Sequence, residues 1–219
     1  MTHPLALFAL LLAFPAAAAE LVAIVALGDS ITRGERTGVK ADETFASLLA
    51  ARLKTTVANA GIGGERTDGA LARLEKDVLA RKPKIVLIMY GTNDSYVDKG
   101  ATEPRLTVEK YRENLVTLVE TLRKNGAEPI LMTEPRWAKG EKNGLGEDPN
   151  PRLEKYVEAC RAVAKDKKVP LVDHYKHWKD AEAKGTVIRD WTTDGCHPNV
   201  QGHRILADLI EPVLKKAIK

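Results

Sequence analysis

Residues 85–95 read Ile-Val-Leu-Ile-Met-Tyr-Gly-Thr-Asn-Asp-Ser. The first six carry no polar alternation, so the segment has no side meant for water. A short run of that kind is a strand buried on both faces, as in the middle of a parallel sheet; a one-sided antiparallel strand would alternate. The five residues that follow are small or polar and read as a turn at the strand's carboxyl end. Working outward, further strands are expected at Leu21 to Leu27, Thr56 to Asn59, Pro129 to Thr133 and Val169 to Asp173. Helical periodicity fills the intervals. Val108, Tyr111, Leu115, Leu118 and Leu122 recur at three- and four-residue steps before Asn125 and Gly126 stop the helix. Leu71, Leu74 and Val78 repeat the pattern behind Thr67 and Asp68, which are expected to cap it; Phe45 to Leu53, Leu153 to Ala164 and Ile205 to Val213 supply three more. Strands alternating with helices imply right-handed crossovers and helices on both faces of the sheet. The expected fold is a three-layer α/β/α sandwich with a mainly parallel five-stranded sheet.

Composition sets the outer bounds. A chain of 219 residues with 44% hydrophobic and 29% charged residues makes one folded domain rather than two. The net charge of +4 is a small excess on a mixed surface, which argues against a nucleic-acid partner. Leu5 to Phe14 is an apolar run, Pro15 breaks it, and Ala16 to Ala19 precede Glu20, the layout of a secretory leader. Residues 1–19 are therefore expected to be a signal peptide cleaved after Ala19, and 20–219 a single secreted or periplasmic domain. No run is long enough to span a bilayer, so stable membrane insertion is not expected. Cys160 falls on the apolar stripe of a helix and Cys196 in a loop, which favours two buried thiols over the alternative of a disulfide. The stretch Pro135 to Pro151, with three glycines, three prolines and Trp137, reads as a long flexible wall over a site.

In open parallel sheets ligands bind beyond the carboxyl ends of the strands. Four polar or glycine-rich clusters fall there or within reach: Gly28-Asp29-Ser30, Asn59 to Arg66, Gly91 to Ser95 and Asp194 to Asn199. Ser30 follows the first strand directly, where a strand-to-helix turn presents its hydroxyl. A serine hydroxyl needs a base, and the base needs a partner that holds its tautomer. His197 and Asp194 share one loop at a spacing that lets the carboxylate reach Nδ1, and Pro198 stiffens the loop. An acyl-transfer oxyanion needs fixed donors; the backbone amides of Ser30 and Gly64 and the side-chain amide of Asn93 are available. Thr32 occupies the second glycine position of a Gly-x-Ser-x-Gly elbow, and Arg66 the third glycine position of a dinucleotide fingerprint, so both of those families are disfavoured.

The four blocks, in this order, resemble the signature blocks of the SGNH, or GDSL-type, hydrolases. The resemblance runs from the first strand almost to the last helix. It implies a flavodoxin-like α/β/α fold and an ester hydrolase without metal or cofactor. In that reading Ser30 is nucleophile, Asp194 and His197 complete the triad, and Ser30, Gly64 and Asn93 form the oxyanion hole. Substrates of the family run from acetylated sugars to lysophospholipids and thioesters. The low aromatic content, 5%, and the lack of a leucine-rich lid favour short acyl groups such as O-acetyl on carbohydrate. Asp29, Arg66, Trp137 and Trp191 are candidate substrate contacts. Two alternatives compete with that reading: a zinc site built from Asp173, His174, His177, Cys196 and His197, and a non-catalytic carbohydrate-binding module on the same scaffold. The zinc site is disfavoured because no His-Glu-x-x-His motif appears and Tyr175 and Trp178 read as a packed loop-helix junction, and the complete set of triad residues argues against the module.

Overall fold

The computed structural model describes residues 24–218. The proposed leader at 1–19 and residues 21–23 of the first expected strand lie outside these described residues. Five parallel strands form the sheet: β1 (Ile24–Gly28), β2 (Val57–Gly61), β3 (Ile85–Met89), β4 (Glu128–Thr133) and β5 (Leu171–Asp173). Their spatial order is β2-β1-β3-β4-β5, so β1 and β3 are neighbours and the chain reverses its direction of winding between them. Register is tight at that seam, with Ile24 opposite Ile85 and Gly28 opposite Met89.

The unbroken apolar run at 85–89 is explained by what covers it. Ile85, Leu87 and Met89 pack with Phe45 and Leu49 of α2 (Phe45–Leu53) and with Leu206, Ile210 and Leu214 of α8 (Val200–Ala217). Val86 and Ile88 point the other way, into Ala70 of α3 (Thr67–Arg73), Leu115 and Leu118 of α5 (Val108–Lys124) and Tyr156 and Cys160 of α6 (Asn150–Lys167). Strand periodicity of two thus distributes one continuous apolar segment over two cores. Leu87 is completely enclosed, and truncating such a residue to alanine costs about 2–5 kcal/mol. Two short helices, α1 (Ser30–Arg33) and α4 (Thr92–Ser95), begin just beyond the carboxyl ends of β1 and β3. A further helix, α7 (His174–Ala183), follows β5.

Three local expectations need correction. The start of α3 is not capped by the side chains of Thr67 or Asp68 in the manner expected. Asp94, from the neighbouring α4, accepts from both the Thr67 amide at 3.0 Å and its hydroxyl at 2.7 Å. That bond ties the β2 and β3 loops together. The stretch after β4 is not a flexible wall but a braced one. Asn143 Oδ1 accepts from the amides of Leu145 and Glu147, and Asn150 is bonded to both the amide and the carbonyl of Trp137. The loop is also fastened at both sides of the cleft, because Ala138 N donates to Gly195 O at 2.7 Å and Gly144 N to Val97 O at 2.8 Å. The third difference is in α3 itself, which continues past Arg73 as a wider π-type segment, Leu74–Val78. Cys160 and Cys196 are separate, buried thiols. Among the described residues no helix is long and apolar enough to cross a membrane.

Candidate active site

Ser30 is the first residue of α1. Asp29 caps that helix by accepting from Ile31 N at 2.8 Å, and the turn leaves Ser30 half-exposed while Asp29 is buried. The turn is possible because Gly28 has no side chain: a Cβ there would lie 2.1 Å from Thr32 Oγ1 and 2.6 Å from Met89 O. Ser30 Oγ is 2.9 Å from His197 Nε2, and His197 Nδ1 is 2.8 Å from Asp194 Oδ2. Asp194 Oδ1 accepts from the amides of Cys196 and His197 at 3.1 and 2.9 Å, so the carboxylate clamps its own loop as well as the imidazole. Partial burial opposes ionisation of Asp194, but those two amides and the His197 ring outweigh it and bring its pKa down to about 2. Burial pushes the His197 pKa below the usual histidine value, with Asp194 resisting the shift. The imidazole is thus kept neutral with one nitrogen directed at the carboxylate and the other at a hydroxyl, an arrangement able to take a proton from Ser30.

Asn93 lies on α4 at the end of β3, lining the same cleft as Ser30 and His197. Gly64 sits in the loop after β2 with φ of +77°, a conformation that favours glycine. That loop rests on the Ser30 helix, since Ile62 N donates to Gly28 O and a Cβ on Gly61 would fall 2.1 Å from Arg33 N. Among the described residues neither the Gly63 nor the Gly64 amide donates to a protein acceptor, nor does the amide of Ser30. These three amides are therefore uncommitted to other protein groups.

The cleft has a volume of about 440 Å³. One wall is aromatic: Trp137 stacks on Tyr96 with ring centroids 6.1 Å apart. The other candidate contacts are placed elsewhere. Trp191 is partly buried at the edge of the core, packing edge-on against Trp178 at 5.3 Å and stacking on the exposed His177. Arg66 is forked onto Asp68 at 3.1 and 2.8 Å and does not line the cleft. Asp29 lies behind the cleft, with Oδ2 accepting from Asn93 Nδ2 at 2.7 Å. Burial and the neighbouring Asp94 raise the Asp29 pKa to about 7. Among the described residues no group of three or more His, Cys, Asp or Glu side chains is arranged to hold a metal ion. His174 is wholly enclosed, which depresses its pKa to about 3, and burial drives the Cys196 thiol well above its ordinary value, away from the reactive thiolate.

Three residues of the site carried no signal in the sequence. Arg36 Nη2 donates to Asp194 Oδ2 at 2.8 Å. Arg105 donates to Asn93 Oδ1 at 3.1 Å and stands over the Tyr96 ring. Glu134, immediately after β4, is buried with neither carboxyl oxygen receiving a hydrogen bond.

This arrangement agrees with what the chain resembles. The family model described as GDSL-like lipase/acylhydrolase matches residues 26–205. The Bacillus subtilis protein named uncharacterized lipoprotein YqeF is 37% identical, the match covering 86% of this chain and 87% of that one. Escherichia coli thioesterase 1/protease 1/lysophospholipase L1 is 29% identical over 97% and 91% of the two chains, and Geobacillus stearothermophilus acetylxylan esterase 29% identical over 83% and 88%. A lipase/acylhydrolase from Enterococcus faecalis superimposes with a TM-score of 0.75 at 29% identity, covering 90% of this chain and 96% of that one. The chain belongs to the GDSL-like lipase/acylhydrolase family and is a carboxylic ester hydrolase.

Proposed function

We propose that the protein is a serine esterase that removes short acyl groups, such as O-acetyl, from carbohydrate. The observation that carries the mechanism is the line of two hydrogen bonds from Ser30 through His197 to Asp194, 2.9 and 2.8 Å. Ser30 Oγ attacks the acyl carbon while its proton passes to His197 Nε2. The carbonyl oxygen takes up the negative charge and is met by the amides of Ser30 and Gly64 and the remaining N–H of Asn93, each donor worth about 3–4 kcal/mol in the transition state. Collapse of the tetrahedral adduct breaks the ester C–O bond, and His197 returns the proton to the departing alcohol. Water then attacks the acyl-enzyme with His197 again as base, releasing the acid and restoring Ser30. Asp194 stays ionised throughout and stabilises the imidazolium.

The substrate side of the reading is supported by the cleft. The Tyr96–Trp137 wall offers flat apolar faces of the kind that pack against a sugar ring, the cleft is modest in volume, and one relative is named an acetylxylan esterase. The decisive experiment is labelling with a fluorophosphonate serine probe, followed by a chain-length series of p-nitrophenyl esters. Labelling is expected for the wild-type enzyme and absent in Ser30→Ala, with turnover falling steeply beyond butyrate. An optimum at octanoate or longer would replace the carbohydrate reading with that of a lysophospholipase or thioesterase, and an unlabelled wild type would remove the serine mechanism.

A further inference from the structure

Asn93 does not stand free in the cleft. Its amide is held at two of its four hydrogen-bonding positions: Nδ2 donates to Asp29 Oδ2 at 2.7 Å, and Oδ1 accepts from Arg105 Nη1 at 3.1 Å. A primary amide carries two N–H donors, so one is left over. The two partners also decide which way the amide faces. A guanidinium only donates, so it must meet the oxygen. Turned by 180°, the amide would set its NH2 against Arg105 and its oxygen against the Asp29 carboxyl.

Arg105 is itself held at several points. Nε and Nη2 donate to the two oxygens of Asp98 at 2.9 and 2.7 Å, the guanidinium lies 4.9 Å from the centroid of Tyr96, and Arg105 N donates to Tyr96 O at 2.9 Å. One edge of the planar fork serves Asp98, and the remaining nitrogen reaches Asn93. Lysine, a point charge on a flexible stem, cannot divide itself in this way.

We propose that Arg105 is a positioning residue for ester hydrolysis, orienting and polarising the Asn93 amide so that its free N–H is held toward the oxyanion. The inference rests on the reading of Asn93 as an oxyanion donor. Two physical effects support it. A donor already in place needs no reorganisation when charge develops, and a cation bonded to the amide oxygen draws density from the N–H and strengthens its donation.

The test is a double-mutant cycle on p-nitrophenyl acetate, with kcat and KM measured separately and thermal unfolding recorded for each variant. Asn93→Ala is expected to lower kcat by about 100-fold. Arg105→Met is expected to lower kcat by about 10-fold, with KM within about threefold of wild type, and Arg105→Lys by about threefold. In the Asn93→Ala background either Arg105 substitution should change kcat by less than about twofold, because the group it acts through is gone. Equal losses in both backgrounds would overturn the proposal, and so would a rise in KM with kcat intact. If Arg105→Met does not fold, Arg105→Lys, which keeps the charge and the stem, runs the same cycle. An unchanged kcat in Asn93→Ala alone would instead remove the oxyanion role on which the inference stands.

Discussion

Arg36 and His197 bind the same oxygen of Asp194: the guanidinium reaches Oδ2 at 2.8 Å and imidazole Nδ1 reaches it at 2.8 Å. A cation therefore sits one carboxylate away from the proposed base. Its charge disfavours the imidazolium and contributes to the depressed His197 pKa. Arg36→Met should raise that pKa, so the acid limb of the kcat/KM profile should move to higher pH. At pH 8, where His197 is neutral in either protein, kcat should fall no more than about 10-fold, because Asp194 keeps its bond to the ring. The ion pair is partly exposed and worth roughly 0–1 kcal/mol to the fold, so the variant should remain folded. An acid limb that does not move would show that Arg36 does not act on His197.

A neutral His197 is required for the first proton transfer. Activity should rise with pH through the His197 pKa and reach its plateau early, because burial places that pKa below the usual histidine value. Asp194→Asn would present an NH2 to Nδ1 and stabilise the wrong tautomer, with an expected loss of about 10⁴ in kcat. Profiles from pH 4 to 9 check both points. A flat profile, or an Asp194→Asn enzyme within tenfold of wild type, would contradict the assignment of His197 as base.

The fold was legible in the sequence because the strands of a doubly covered sheet are continuous apolar runs, and 85–90 is such a run. Ser30, Asn93, Asp194 and His197 were legible as candidates because each stands in a short block beside a strand end or a turn, and the structure brings these four together. Arg36 and Arg105 were not. Arg36 reaches Asp194 across a separation of 158 residues, and nothing local distinguishes it from Arg66, whose charge is spent on Asp68 two residues away. An arginine's role depends on where a long side chain ends, which composition and periodicity do not determine. Trp137 and Trp191 looked alike for the same reason: one lines the cleft and the other packs on Trp178. The braced form of the long loop was hidden in two asparagines whose partners are backbone groups.

Glu134 offers a test of the buried acid behind the site. Burial and the neighbouring Asp29 and Asp94 carboxyls hold its pKa well above the ordinary glutamate value. In the unfolded chain it ionises near pH ~4.3, whereas in the folded protein it keeps its proton to higher pH. The folded state therefore binds more protons, and this group's contribution to stability declines as pH rises above about 4.3. Glu134→Gln titrates in neither state. Its melting temperature relative to wild type should therefore be higher at pH 8 than at pH 4, by roughly 2–4 °C for each kcal/mol in a domain of this size. Any fixed cost of burying the amide is present at both pH values and cancels in the comparison. A pH-independent difference would mean that Glu134 is already ionised in the folded protein.

Gly144 is where the long loop touches the opposite wall. A Cβ there would lie 2.2 Å from Lys99 N, 2.3 Å from Asp98 C and 2.6 Å from Val97 O, all backbone atoms that no rotamer change can clear. Gly144→Ala must push the loop off Val97, lengthening the 2.8 Å bond to its carbonyl and separating Trp137 from Tyr96. Overpacking of this kind costs about 1–3 kcal/mol, so a lower melting temperature is expected. If the aromatic wall holds the substrate, KM for an acetylated oligosaccharide should rise several-fold, with kcat on p-nitrophenyl acetate affected far less. Gly140→Ala is the control. Gly140 has φ of +94° but open space around its Cβ position, so alanine there adds backbone strain of about 1–2 kcal/mol without moving the wall. A KM that rises equally in both variants would trace the effect to general loosening, and a KM unchanged in Gly144→Ala would remove Trp137 from substrate binding.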